Sequence, residues 1–118
     1  MTCEMKVLIV EDNDRVRQMI RVFLRGLAGE MVECADGSEA LSVYRQHRPD
    51  WVLMDIKMAR VDGLTATREI KAAFPKAKIV IVTNFDDEAM REAAREAGAV
   101  GLVAKDNLLD LPPSCIED

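Results

Sequence analysis

The sequence predicts an α/β fold, an open parallel sheet with helices packed on its faces. Three observations carry that prediction. Five short apolar runs recur at residues 7–10, 31–35, 51–54, 79–82 and 100–103. Three of them are nearly continuous and rich in Val and Ile, as strands buried on both faces of a parallel sheet require. Helical periods fill the gaps between the runs. Strand alternating with helix implies right-handed crossovers and an open parallel sheet covered by helices.

The elements follow in order. After the first run, Val16, Met19, Ile20, Phe23, Leu24 and Leu27 fall at i, i+3, i+4, i+7, i+8 and i+11, an amphipathic stripe. Gly29 offers its stop. The second run admits Glu33, which suits a strand near an edge. Ala40, Leu41 and Tyr44 mark a second helix, with Ser38 to cap it and Pro49 to end it. Leu64, Thr67, Ile70 and Phe74 mark a third, started by Asp62-Gly63 and closed by Pro75. Met90, Ala93, Ala94 and Ala97 mark a fourth. Asp86, Asp87 and Glu88 stand at its positive end and Gly98 behind it. Only residues 106–111 precede Pro112-Pro113, so the fifth helix is expected to be a stub.

Composition excludes several classes. At 118 residues the chain supports one domain with one core, assigned to residues 1–111, with 112–118 as a short tail. Hydrophobic residues at 49% and charged residues at 31% exclude a disordered tail, a collagen repeat and a disulfide-knotted scaffold. No apolar run approaches the ~18 residues of a membrane span, and the first ten residues lack the layout of a secretory signal. A net charge of −5 argues against nucleic acid as a partner. Cys3, Cys34 and Cys115 are odd in number and match no metal spacing, which reads as a reduced, cytoplasmic chain.

In open α/β sheets ligands bind beyond the carboxyl ends of the strands. There the sequence places Glu11 and Asp12 after the first strand, Asp55 after the third, Thr83 after the fourth and Lys105 after the fifth. Each has a plain structural role available: Asp12 or Asn13 can cap the first helix, Thr83 can end a strand, and Lys105 can be an exposed charge. Asp55 is harder to dismiss, because it leaves a buried strand and the helix at Leu64 has its own start signal. Five such residues converging on one sheet edge point to a site. Three carboxylates at close quarters repel one another unless a cation joins them or one is protonated. An oxygen-only set of this kind suits Mg²⁺. Beside the metal a carboxylate can attack a phosphoryl group, with an ammonium and a hydroxyl steadying the transferring oxygens. Asp55 lies between the acidic pair and the Thr/Lys side, which makes it the candidate nucleophile.

At this point the residues resemble the receiver domain of two-component response regulators. The resemblance runs through Val7-Leu8-Ile9-Val10-Glu11-Asp12-Asn13, Ala35-Asp36-Gly37-Ser38-Glu39-Ala40-Leu41, Val52-Leu53-Met54-Asp55-Ile56-Lys57-Met58 and Asp62-Gly63. It continues through Ile81-Val82-Thr83-Asn84 and the stretch from Gly98 to Asp106. It implies a CheY-like, flavodoxin-like (βα)5 fold with a doubly wound five-stranded parallel sheet of order 2-1-3-4-5. It implies phosphorylation of Asp55 by a sensor histidine kinase, a histidine phosphotransfer protein or a small phosphodonor. Mg²⁺ would be bound by Asp12, Asp55 and the backbone carbonyl of Lys57, with Glu11 supporting through water. Thr83 and Lys105 would read the phosphoryl group and draw their loops inward. A downstream protein of unknown identity would sense the change, the chain being a monomer or weak dimer and not a conventional enzyme.

Four departures stand against that pattern. Ala59 replaces the usual proline, Leu102 replaces the usual aromatic switch residue, the fifth helix is expected to be short, and the chain is expected to stand alone without an output domain. Two rivals therefore remain: a phosphorylation-independent adaptor with the same fold, and the receiver half of a longer DNA-binding transcription factor. A phosphatase with an aspartyl nucleophile is disfavoured, because Lys57 stands where such enzymes carry a second carboxylate. Phe85, two residues beyond Thr83, either shields the phosphoryl group from water or simply packs at the rim. Arg17, Arg21 and Arg25 form an i, i+4 row that reads as a solvated face or as a docking surface for an acidic partner.

Overall fold

The computed structural model describes residues 5–25, 29–56, 62–83 and 88–104. These form β1 (Lys6–Val10), α1 (Asp14–Leu24), β2 (Glu30–Cys34), α2 (Gly37–His47), β3 (Trp51–Asp55), α3 (Gly63–Ala73), β4 (Ile79–Thr83), α4 (Glu88–Ala97) and β5 (Gly101–Ala104). All strand pairs are parallel, in the order β2-β1-β3-β4-β5. The fold class and strand order thus match expectation. The stub after Ala104, the tail and the domain boundary at residue 111 lie outside the described residues.

Alternation along the strands divides the core into two layers. Leu8, Val10, Val52, Met54, Ile79 and Ile81 join residues of α2, α3 and α4 on one face. Val7, Ile9, Trp51, Leu53, Val80 and Val82 join Ile20 and Leu24 of α1 on the other. Every residue of β3 and β4 is buried, as their unbroken apolar runs demand. Glu33 is tolerated because β2 is an edge strand with a half-wet face.

Local chemistry differs from expectation at two places. Met19 belongs to the apolar stripe by spacing, yet it is 46% exposed. The buried seam of α1 is narrower than the stripe, running through Ile20 and Leu24 with Val16 partly buried. Leu27 and the side chain of Phe23 lie outside what is described. The cap of α2 is Asp36, not Ser38: the Asp36 carboxylate accepts from the Ser38 backbone N–H at 2.9 Å. Aspartate at that place also complements the helix dipole, which a hydroxyl does not. At the other end Arg48 adopts a left-handed conformation with φ 48° before Pro49. Gly98, at φ 105°, closes α4 in a conformation that side chains disfavour.

Removing the cap tests the assignment. Asp36→Ala is expected to lower the unfolding free energy by about 1 kcal/mol, and Ser38→Ala by less than about half of that, both read from urea denaturation.

Candidate functional site

Parallel register builds the site. Val10 pairs with Met54, so the residue after β1, Glu11, comes level with Asp55 at the end of β3. Asp55 in turn pairs with Val82, which puts Thr83 one step further along the neighbouring strand. Glu11 is 1% exposed, Asp55 3% and Thr83 3%, whereas Asp12 stands open to solvent. Glu11, Asp12 and Asp55 each offer a carboxylate oxygen, all within 4.8 Å of one another.

The β1–α1 segment is fastened from several sides. The Glu11 backbone N–H donates to the Cys34 carbonyl at 3.0 Å, which carries the β1–β2 ladder one residue beyond the strands. The Asn13 backbone N–H donates to Glu11 Oε2 at 3.2 Å. Asn13 Oδ1 accepts from the backbone N–H groups of Arg15 and Val16 at 2.9 and 3.2 Å, which makes Asn13 the N-cap of α1. The cap is therefore taken by Asn13, and Asp12 carries its charge at the site rather than at the helix start. Burial pushes the Cys34 thiol up from its ordinary range, and its Sγ–H donates to the Asp36 carbonyl at 3.1 Å.

The end of β3 is fastened by α3. Asp62 caps that helix by accepting from the Thr65 N–H at 2.8 Å, and Gly63 N–H donates to the Ile56 carbonyl at 2.9 Å. A Cβ on Gly63 would lie 2.0 Å from the Asp55 carbonyl oxygen, so only glycine permits this approach. Spacing alone marked Asp62-Gly63 as a helix start; its contact with Asp55 needed the fold.

Of the residues expected at the site, the structure brings Glu11, Asp12 and Asp55 together and sets Thr83 on the adjoining strand end. Lys57 and Lys105 lie outside the described residues, as do Ala59 and Phe85. Lys105 directly follows Ala104, which pairs with Thr83 in the β4–β5 ladder. Leu102 is half-buried against the layer of α2, α3 and α4. It borders a cavity of about 740 Å³ with Arg91, Ala94, Arg95, Ala99 and Val100, between α4 and β5.

The arginine row is not simply a solvated face. Arg17 and Arg21 both reach across to Glu33 of β2, Arg17 through Nε at 3.0 Å. Arg17 also donates through Nη1 to the Glu11 carbonyl at 2.7 Å. The helical spacing of the row was visible beforehand; its inward partners were not, since they come from another strand.

A model of the response regulator receiver domain matches residues 7–111. The chain belongs to the response regulator receiver family. It is 40% identical over 111 residues to the transcriptional regulatory protein PdtaR of Mycobacterium tuberculosis, covering 92% of this chain and 54% of PdtaR. It is 37% identical over 101 residues to the chemotaxis protein CheY of Bacillus subtilis, covering 85% of this chain and 84% of that one. A chain of the CheX–CheY–BeF3–Mg²⁺ complex from Borrelia burgdorferi aligns at a TM-score of 0.82. That alignment has 26% identity and covers 93% of this chain and 87% of that one. The receiver spans about half the length of the transcriptional regulators it matches. Among the described residues no helix is long and apolar enough to cross a membrane.

The donor set of this receiver fits the divalent cation that its family binds. Three carboxylates supply only hard oxygen ligands, one exposed and two buried, with no soft sulfur or imidazole in the group. Their mutual repulsion favours a cation among them. Millimolar Mg²⁺ is accordingly expected to raise the melting temperature, since a ligand bound only by the folded state stabilises it. That shift should vanish in Asp12→Asn. Gly63→Ala is expected to cost about 3 kcal/mol through overpacking against Asp55 and to weaken Mg²⁺ binding as well, measured by denaturation and calorimetry.

Proposed function

We propose that this receiver is a phosphoacceptor switch in which Asp55 takes a phosphoryl group. The observation that carries the reading is the convergence of Asp55 with Glu11 and Asp12 inside 4.8 Å at the end of a buried strand. A sensor histidine kinase, a histidine phosphotransfer protein or a small phosphodonor would supply the group. A carboxylate oxygen of Asp55 attacks phosphorus, the P–O bond to Asp55 forms, and the bond to the donor breaks. When the donor is phosphohistidine, the imidazole nitrogen leaves with the electron pair.

Glu11, Asp12 and Asp55, together with the backbone carbonyl of Lys57, would hold Mg²⁺, which supplies positive charge to the transferring oxygens. Thr83 donates its hydroxyl to one phosphoryl oxygen and Lys105 pairs its ammonium with another. Those contacts exist only in the phosphorylated state, so they supply the free energy that favours one conformation over the other. The responding surface is the α4–β5 face around Leu102, where a downstream protein would distinguish the two states. In this reading the chain catalyses only its own phosphorylation and dephosphorylation, in the cytoplasm. Lys57 two residues beyond Asp55 counts against a phosphatase acting on external substrates.

Incubation with a small phosphodonor and Mg²⁺, followed by intact-mass measurement, tests the proposal. The expected result is one phosphoryl adduct on the parent chain and none on Asp55→Asn. Chelation of the metal should slow adduct formation at least about 100-fold, since metal stabilisation of transition-state charge is worth several kcal/mol. No adduct on either chain would favour the adaptor, and sustained turnover of an added phosphoester would favour the enzyme.

A further inference from the structure

We propose that Arg17 is a positioning residue for the divalent-cation site, clamping the Glu11-Asp12-Asn13 segment so that Asp12 faces the metal. The inference rests on the metal reading of the acidic trio.

The guanidinium of Arg17 addresses three partners from three places in the fold. Its Nη1 donates to the Glu11 carbonyl at 2.7 Å, its Nε to Glu33 Oε1 of β2 at 3.0 Å, and its Nη2 pairs with Asp14 in the first turn of α1. The side chain is only 16% exposed. Glu33 is held in turn by Arg21. A planar fork with fixed donor directions can serve three acceptors together, whereas an ammonium acts as a point charge on a flexible stem.

The consequence falls on Asp12. Its predecessor, Glu11, is tied to β2 twice: directly through N–H to the Cys34 carbonyl, and through its own carbonyl by way of Arg17 and Glu33. Its successor, Asn13, is fixed by the Glu11 carboxylate and by its duty as the cap of α1. Asp12 itself is exposed, so its direction is set by the backbone on either side of it. Groups that orient a metal ligand in this way typically change metal affinity by 10–100-fold when removed.

Charge alone predicts the opposite sign. A guanidinium near a cation site repels the cation, so neutralising Arg17 would tighten Mg²⁺ binding if electrostatics were its whole effect. Loss of the clamp weakens binding. The sign of the change therefore separates the two roles.

Mg²⁺ affinity would be measured by calorimetry on the unphosphorylated full chain, with a thermal melt on each variant. Arg17→Gln is expected to bind Mg²⁺ about tenfold more weakly than the parent, and Arg21→Gln, which touches Glu33 but not the Glu11 segment, within about twofold. Arg17→Lys, which keeps the charge but not the fork, should lose affinity in the same direction. It also serves as the test if Arg17→Gln does not fold. An Arg17 variant that melts cooperatively and binds Mg²⁺ as tightly as the parent, or more tightly, overturns the inference while leaving the metal reading intact. A parent chain that binds no Mg²⁺ overturns both.

Discussion

Carboxylate repulsion at the carboxyl edge of the sheet is the constraint around which this receiver is arranged. Parallel pairing of β1 with β3 leaves no freedom in the matter: once Val10 sits opposite Met54, the next residues out, Glu11 and Asp55, come level with each other. Both are buried, so their charges are felt through protein rather than water. Asp12 adds a third negative group from the wet side. Holding such a cluster in place requires bonds that do not depend on the carboxylates attracting one another.

Those bonds are found in the surrounding backbone. Cys34 extends the β1–β2 ladder onto Glu11, Asn13 takes the helix cap and so leaves Asp12 at the site, and Arg17 reaches the Glu11 carbonyl from within α1. On the far side Gly63 lets α3 start against the Asp55 carbonyl, at a distance that excludes any side chain. Each device fixes main chain, and main chain is what aims a short aspartate. A preorganised site of this kind spends its ordering cost during folding rather than when a ligand binds.

The same sheet links the acidic edge to the face where α4 meets β5. Thr83 ends β4 and pairs with Ala104, two residues beyond Leu102 on the adjoining strand. Leu102, itself half-buried, lines the cavity between α4 and β5. A branched aliphatic chain there has neither a ring to swing nor a hydroxyl to exchange partners. Any change transmitted to this face must therefore travel through backbone and packing rather than through an aromatic rotamer.

Much of this was legible in the linear order of residues. Buried parallel strands announce themselves as unbroken Val/Ile runs, and Glu33 in the second run marked an edge strand because a charge needs water on one side. Glu11, Asp12, Asp55 and Thr83 stood out as polar residues directly following such runs. What stayed hidden depended on partners distant in sequence. The exposure of Met19, the closeness of Gly63 to Asp55 and the inward fork of Arg17 are of that kind, whereas the caps Asn13 and Asp36 were chosen among neighbouring candidates by backbone N–H groups two or three residues on. Periodicity reports which face of an element is apolar, because that depends on neighbours three or four residues away. The partner of a guanidinium or the space left for a Cβ is settled only when separate strands and helices are packed together.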